Sequence, residues 1–235
     1  MKDFTLRKWF LDSKSGTCSL FKGFVMLVVL MLMTTSSAMA QDPKFEVIDG
    51  FRYLLESDTK TATLFPKREE KYSGDIIIPE KVKGNDGVEY IVASLGNSCF
   101  DDCHGLTSIT IPSSVTSLGD SCFSYCKGLT SITIPSSVTS LGDGCFSYCT
   151  SLTSITIPSS VTSLGGHCFY ECSGLTSITI PSSVTSLGDY CFWNCSGLTS
   201  ITIPSSVTSL GYECFSGCSG LTSITIPSSV TSLGY

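Results

Sequence analysis

The chain is predicted to be a β-rich repeat solenoid, with parallel strands stacked one per 23-residue turn. Three observations predict this. The block LTSITIPSSVTSLG recurs six times, opening at Leu106, Leu129, Leu152, Leu175, Leu198 and Leu221, always 23 residues apart. Within each copy, apolar and hydroxyl residues alternate before a proline, which is the pattern of a half-buried strand. A Cys-Phe-x-x-Cys motif recurs at the same period, beginning at Cys99, Cys122, Cys145, Cys168, Cys191 and Cys214.

Residues 1–40 read as an export signal. Lys2, Arg7, Lys8, Lys14 and Lys22 form a basic start, residues 24–33 an apolar run, and Ala38-Met39-Ala40 a small-residue cleavage site that puts the new N-terminus at Gln41. The apolar run has ten residues, where a membrane-spanning helix needs about 20. No membrane insertion is therefore expected after cleavage. Cys18, beside Gly16, Thr17 and Ser19, lacks the apolar neighbours of a lipidated cysteine.

Residues 41–98 read as an N-terminal β cap with a first degenerate repeat. Residues 45–48 and 52–55 flank Asp49-Gly50, a hairpin turn signal. Residues 61–65 and 75–78 are further strand candidates. A second hairpin is expected from Val82 through Gly84-Asn85-Asp86-Gly87 to residues 88–92. The end of a stacked core needs a polar or well-paired cover, and this segment supplies it.

Residues 99–235 read as the solenoid, with the last repeat incomplete. In the first full copy Leu106, Ile109 and Ile111 face inward, and Ser108 and Thr110 outward. Pro112 ends the pairing, since it has no amide hydrogen to donate. Val115 and Leu118 return the chain across the core, and Gly119 suits a bend. Cys122-Phe123-x-x-Cys126 has the i, i+4 spacing of a short helical turn, with Phe123 as the large core filler. The seventh return segment stops at Tyr235 without its cysteine turn, an end expected to fray or to associate end to end.

At this point the sequence resembles a known family. The pattern L-x-x-I-x-I-P-x-x-V-x-x-L-G-x-x-C-F-x-x-C is similar to the BspA-like leucine-rich repeats of bacterial surface proteins, over residues 75–235, with a cap-like segment from Phe45. The resemblance implies a leucine-rich-repeat solenoid, cell-surface or secreted localisation, and adhesion through protein binding. One departure stands out: the family usually places alanine where Cys99, Cys122, Cys145, Cys168, Cys191 and Cys214 stand.

Twelve cysteines follow the leader. A disulfide framework, a metal ladder and buried free thiols are the alternatives. Equivalent cysteines on adjacent turns would lie about 4.8 Å apart with parallel Cβ vectors, whereas a disulfide prefers Cβ atoms near ~3.8 Å. Metal sites favour two-residue cysteine spacing or histidine partners, and only His104 and His167 are present. Cysteine as a small buried hydrophobe fits the pattern. The resemblance supports burial for the second member of each pair: Cys103, Cys126, Cys149, Cys172, Cys195 and Cys218.

Composition narrows the function. Beyond residue 40 there are nine basic and eighteen acidic side chains, a net charge of −9, and from Cys99 onward Lys127 is the only basic residue. Nucleic acid and anionic membrane are poor partners for such a surface. No catalytic constellation is visible: His167 is adjacent to Cys168, but neighbours on a tight turn rarely point together. No cofactor is expected. Asp120, Asp143 and Asp189 recur at one position and read as a solvated row or a weak cation site. Asn194-Cys195-Ser196 formally matches a glycosylation acceptor.

What remains is surface. The strands offer uncharged hydroxyl rows, among them Ser108, Thr110, Ser131, Thr133, Ser154 and Thr156. Between copies the sequence varies mainly around the cysteine turn, where Tyr125, Tyr148, Tyr170 and Trp193 are the kind of exposed aromatics favoured in recognition. These ten residues form the candidate interaction surface for a protein or glycan ligand. The expected function is a non-enzymatic interaction protein at the cell surface or secreted. A periplasmic or extracellular scaffold without a specific ligand is the alternative.

Overall fold

The computed structural model of the chain describes residues 45–234; the expected leader, residues 1–40, lies outside them. The cap opens with an antiparallel hairpin of β1 (Phe45–Ile48) and β2 (Phe51–Glu56), turned by Asp49 and Gly50, both at positive φ. β3 (Thr61–Phe65) pairs antiparallel with β2. β4 is Gly74–Ile77. β5 (Lys81–Lys83) and β6 (Glu89–Leu95) form the second hairpin, and β6 lies parallel to β3.

The repeats build two parallel ladders. The face ladder contains β7 (Leu106–Thr110), β9 (Ser131–Thr133), β11 (Ser154–Thr156), β13 (Ser177–Thr179) and β15 (Ser200–Thr202). The return ladder contains β8 (Ser117–Leu118), β10 (Ser140–Leu141), β12 (Ser163–Leu164), β14 (Ser186–Leu187), β16 (Ser209–Leu210) and β17 (Ser232–Leu233). Partners are equivalent residues one repeat apart, as in Ile155 with Ile132 and Leu164 with Leu187. The cap feeds both ladders: β6 pairs with β8 and β4 with β7. The return segment, expected only as an extended crossing, is thus a sheet of its own. The face ladder is interrupted, since β9 to β15 form one sheet and β4 with β7 another.

The short helical turn expected at Cys-Phe-x-x-Cys is replaced by two consecutive tight turns. Ser124 N–H donates to the Ser121 carbonyl (3.1 Å) and Cys126 N–H to that of Phe123 (3.2 Å), both i to i−3. Ser121 and Tyr125 have φ of 53° and 57°, which no right-handed helix allows. The reason lies along the stack. Ser121, Phe123 and Tyr125 N–H groups donate to Asp143, Cys145 and Ser147 of the following turn at 2.7–2.8 Å. A helix would spend those donors internally, whereas the left-handed residues aim them at the next turn.

The core is a set of columns. Phe100, Phe123, Phe146, Phe169, Phe192 and Phe215 stack with centroids 5.2–5.6 Å apart and planes within 7°. The cap extends the column with Tyr72, 4.9 Å from Phe100, and Phe51, 5.6 Å from Tyr72. Val115, Leu118, Leu106 and their equivalents fill the space between the ladders, buried in the interior repeats. Ser114 donates to the Val92 carbonyl of the preceding turn (2.7 Å), and Ser206 to that of Val184 (2.7 Å), so the second serine of each IPSSV run is a rung. A Cβ at Gly142 would sit 2.6 Å from the Asp120 backbone nitrogen, which explains the glycine after each return strand.

All twelve described cysteines are free and buried. The second of each pair forms a thiol ladder: Cys126 Sγ–H donates to the Phe100 carbonyl at 3.1 Å, and Cys149, Cys172, Cys195 and Cys218 repeat the contact at 3.0–3.1 Å. Phe100 and Phe123 carbonyls also accept the Cys103 and Cys126 amides, so both lone pairs are used. Burial pushes the Cys122, Cys145, Cys149, Cys168 and Cys172 thiols well above their usual range. Cys218 is the exception: a hydrogen bond with Cys195 lowers it. No three His, Cys, Asp or Glu side chains among the described residues are grouped to hold a metal ion, and no helix among them is long and apolar enough to cross a membrane. In the last described unit Ile224, Ile226 and Leu233 are exposed.

Two outcomes are expected. Phe146→Ala, opening a gap in the ring column, costs about 3–5 kcal/mol in urea denaturation. Iodoacetamide at mildly alkaline pH leaves the five thiols of Cys122, Cys145, Cys149, Cys168 and Cys172 unmodified until denaturant is added, with Cys218 the first of the twelve to react by peptide mapping.

Candidate interaction surface

The strand hydroxyls stand where the alternation placed them. Ser108, Thr110, Ser131, Thr133, Ser154 and Thr156 are exposed on the face ladder, with Ile109, Ile132 and Ile155 buried between them. At the cap end Ser108 and Thr107 hydroxyls donate to Asp75 at 2.7 and 2.8 Å, and these bonds hold the Asp75 carboxyl below its ordinary range.

The turn edge is built differently. Two positions per turn are left-handed: the residue before the first cysteine (Ser98, Ser121, Gly144, His167, Tyr190, Glu213) and the residue before the second (Asp102, Tyr125, Tyr148, Glu171, Asn194, Gly217). Their φ values run from 46° to 75°. Only two of the twelve are glycine, so side chains of every kind are held there against a cost of roughly 1–2 kcal/mol each. The forward hydrogen bonds described above offset that cost. These positions, the residue after phenylalanine and the residues flanking the cysteine turn are where copies differ.

Tyr125, Tyr148, Tyr170 and Trp193 are half-buried rather than freely exposed, because they stack on one another. Tyr125 lies 4.3 Å from Tyr148 with planes 8° apart, and Tyr170 lies 4.7 Å from Trp193, again 8° apart. The pairs occupy different columns, Tyr125 and Tyr148 before the second cysteine, Tyr170 and Trp193 after phenylalanine. Where the column changes, Tyr148 and Tyr170 meet at 5.3 Å and 56°. His167 joins the rings, 4.9 Å from Tyr190 and 5.3 Å from Tyr170. Desolvation first raises the Tyr125 and Tyr148 hydroxyls above their usual range; Tyr148 adds to the rise at Tyr125, while at Tyr148 the hydrogen bond with Tyr125 opposes it and Tyr170 adds to it.

The aspartate row has a structural role that spacing alone did not reveal. Asp120 Oδ1 accepts the Asp143 N–H at 3.0 Å, Asp143 Oδ1 the Gly166 N–H at 2.8 Å, and Asp189 Oδ1 the Tyr212 N–H at 2.7 Å. Asn97 begins the row by accepting the Asp120 N–H at 3.0 Å. Each carboxylate spends one oxygen on the next turn. His104 is likewise structural: Nδ1–H donates to the Tyr125 carbonyl (2.8 Å) and Nε2 contacts Asp102 (3.0 Å). His167 is exposed while Cys168 is fully buried, so no nucleophile–base pair forms there.

Small residues in two turns leave a groove of about 490 Å³, lined by Asp120, Ser121, Asp143, Gly144, Ser147, Tyr148, His167 and Tyr170. It holds none of the strand hydroxyls, so the candidate residues fall into two separate surfaces. The groove was missed in the sequence because its signal is an absence, Ser121, Gly144 and Ser147 preceding His167 and Tyr170 in their columns.

The BspA type leucine rich repeat region matches in six copies, over residues 87–199 and 143–235. Among solved structures the chain is similar to a leucine rich cell surface protein from Faecalibacterium prausnitzii, with 29% identity, a TM-score of 0.58, and coverage of 79% of this chain and 55% of that one. It is also similar to a leucine-rich repeat protein from Eubacterium ventriosum, with 26% identity, a TM-score of 0.54, and coverage of 80% and 53%. A T. pallidum leucine rich repeat protein shares the fold at 23% identity, with a TM-score of 0.61 over 76% of this chain and 91% of that one. The chain thus spans little more than half the length of the first two. No curated protein sequence matches it.

Two substitutions test the turn edge. Ser121→Gly, which relieves a left-handed φ and copies Gly144, is expected to raise stability by about 0.5–1 kcal/mol. Asp143→Ala, which orphans the Gly166 amide, is expected to cost about 1 kcal/mol while Asp143→Asn is neutral, both read from denaturant midpoints.

Proposed function

We propose, from the premise that the chain belongs to the BspA type leucine-rich repeat family, that it is a secreted or cell-surface interaction protein acting in adhesion to host or neighbouring-cell proteins. The observation that carries this reading is the division of labour within each turn. Residues that hold the frame repeat almost unchanged, while variation gathers in outward positions of the turn edge, where large aromatics and carboxylates are presented in order. Large stacked aromatics are the side chains that dominate binding at protein interfaces. The similarity to a bacterial cell surface protein supports the location, as does the export leader expected in residues 1–40. The reading is non-enzymatic: the fold offers rows of side chains rather than a converging acid, base and nucleophile.

Proteolytic shaving of intact source cells, followed by mass spectrometry, is expected to release peptides from residues 41–235. The purified chain is expected to bind saturably to surfaces coated with extracellular-matrix protein, and to lose that binding in a Tyr125→Asn, Tyr148→Asn, Trp193→Ser variant. Asparagine and serine stand natively in those columns at Asn194 and Ser216, so the frame is kept. Protection of the chain until the envelope is broken, with no saturable binding, would leave a periplasmic scaffold as the better account.

A further inference from the structure

We propose that the groove spanning Asp120 to Tyr170 seats a guanidinium or ammonium side chain from a basic segment of a partner protein. The proposal rests on the adhesion reading above and names the partner's chemistry and its seat.

The geometry comes from what the columns leave out. Tyr190 covers one face of His167 at 4.9 Å, and Trp193 covers one face of Tyr170 at 4.7 Å. Both covering residues come from the following turn. On the preceding turn the same columns hold only Gly144 and Ser147, and Tyr148 meets Tyr170 obliquely at 5.3 Å and 56°, so Tyr148, His167 and Tyr170 line the groove together. Ser147 is buried, its hydroxyl donating to Ser124 at 3.0 Å, and it forms floor rather than a ligand. Three aromatic rings thus line the groove.

Its flank is anionic. Asp120 and Asp143 each commit Oδ1 to the next turn, at 3.0 and 2.8 Å. That bond fixes the carboxylates in orientation, and both residues are exposed and line the groove. Oriented carboxylates beside an aromatic face meet both needs of a cationic side chain, opposite charge and a negative ring quadrupole. Arginine fits best, since its planar group stacks and donates to two oxygens together. Anionic ligands are repelled, and a neutral sugar would use the ring faces but leave the carboxylate charge unanswered.

Two further observations agree. The column that brings Tyr148 to the groove already meets a cation within the molecule, with Lys127 Nζ 5.7 Å over the Tyr125 ring. The turn edge also carries Asp101, Asp102, Asp120, Asp143, Glu171, Asp189 and Glu213 against Lys127 and, at the cap end, Lys71 on the Asp101 carbonyl at 2.6 Å, so a basic partner is drawn to the edge that holds the groove.

The test titrates the intact chain into a fluorescein-labelled dodecapeptide of alternating arginine and glycine, read by anisotropy at about 20 mM and about 150 mM salt. Saturable binding that weakens with salt is expected. Asp143→Asn, which keeps the hydrogen bond to Gly166, is expected to weaken it at least about fivefold, and Tyr170→Ser at least about threefold. Asp189→Asn makes the same charge change outside the groove and is expected to shift affinity less than about twofold. Equal effects of Asp143→Asn and Asp189→Asn would reduce the attraction to net charge and overturn the site. Binding of maltohexaose that is lost in Tyr170→Ser but kept in Asp143→Asn would overturn it in favour of a sugar. Absence of peptide binding alongside saturable binding to matrix protein would overturn the groove's assignment and leave the adhesion reading standing.

Discussion

Three forward hydrogen bonds per turn, as from Ser121, Phe123 and Tyr125 to Asp143, Cys145 and Ser147, are the constraint on which the rest of this structure depends. They force two left-handed residues into every turn and hold Phe123 directly over Phe146. On the opposite side of the core the direction reverses: Gly119 N–H reaches back to Leu95 at 2.9 Å and Gly142 to Leu118 at 3.1 Å. Each turn is therefore clamped from both neighbours by backbone alone. A turn one residue longer or shorter would miss both sets, which accounts for a spacing of 23 that never varies across six copies.

Given that clamp, side chains sort by whether they face the column or leave it. Phenylalanine, valine, leucine and cysteine face inward and see an identical residue above and below, so any change is felt twice. The left-handed residues stand outside the packed columns, and most of their side chains reach solvent. Tyr, His, Glu, Asn and Gly are all found at those positions. The frame and most of the variable turn edge are thus carried by different residues of the same short loop.

Much of this was legible in the sequence. The face strands, the two cap hairpins and the inward set from Leu106 to Leu118 follow from period-two alternation, and burial of the second cysteines from their columns. The helical turn was misread because i, i+4 spacing returns a side chain to one face in a helix and in two tight turns alike. The distinction lies in φ, and Ser121 or Tyr125 gives no hint of a left-handed backbone as glycine would. The continuation of the ring column by Tyr72 and Phe51 was hidden because the cap shares no period with the repeats. The aspartate row and the groove depend on which side chains meet across 23 residues, and the eye reads such a row as loop.

The glycine that follows each return strand admits no side chain because the preceding turn is in contact with it, and every copy meets that turn at the equivalent residues. The backbone part of any two junctions in the stack is therefore interchangeable. Recombination between the near-identical gene segments encoding them would delete or duplicate whole turns without creating a misfit. Copy number can drift under such exchange while the protein still folds, and each exchange moves a complete turn edge with its aromatics and carboxylates. The turn edge can thus be changed by reshuffling units rather than by point substitution.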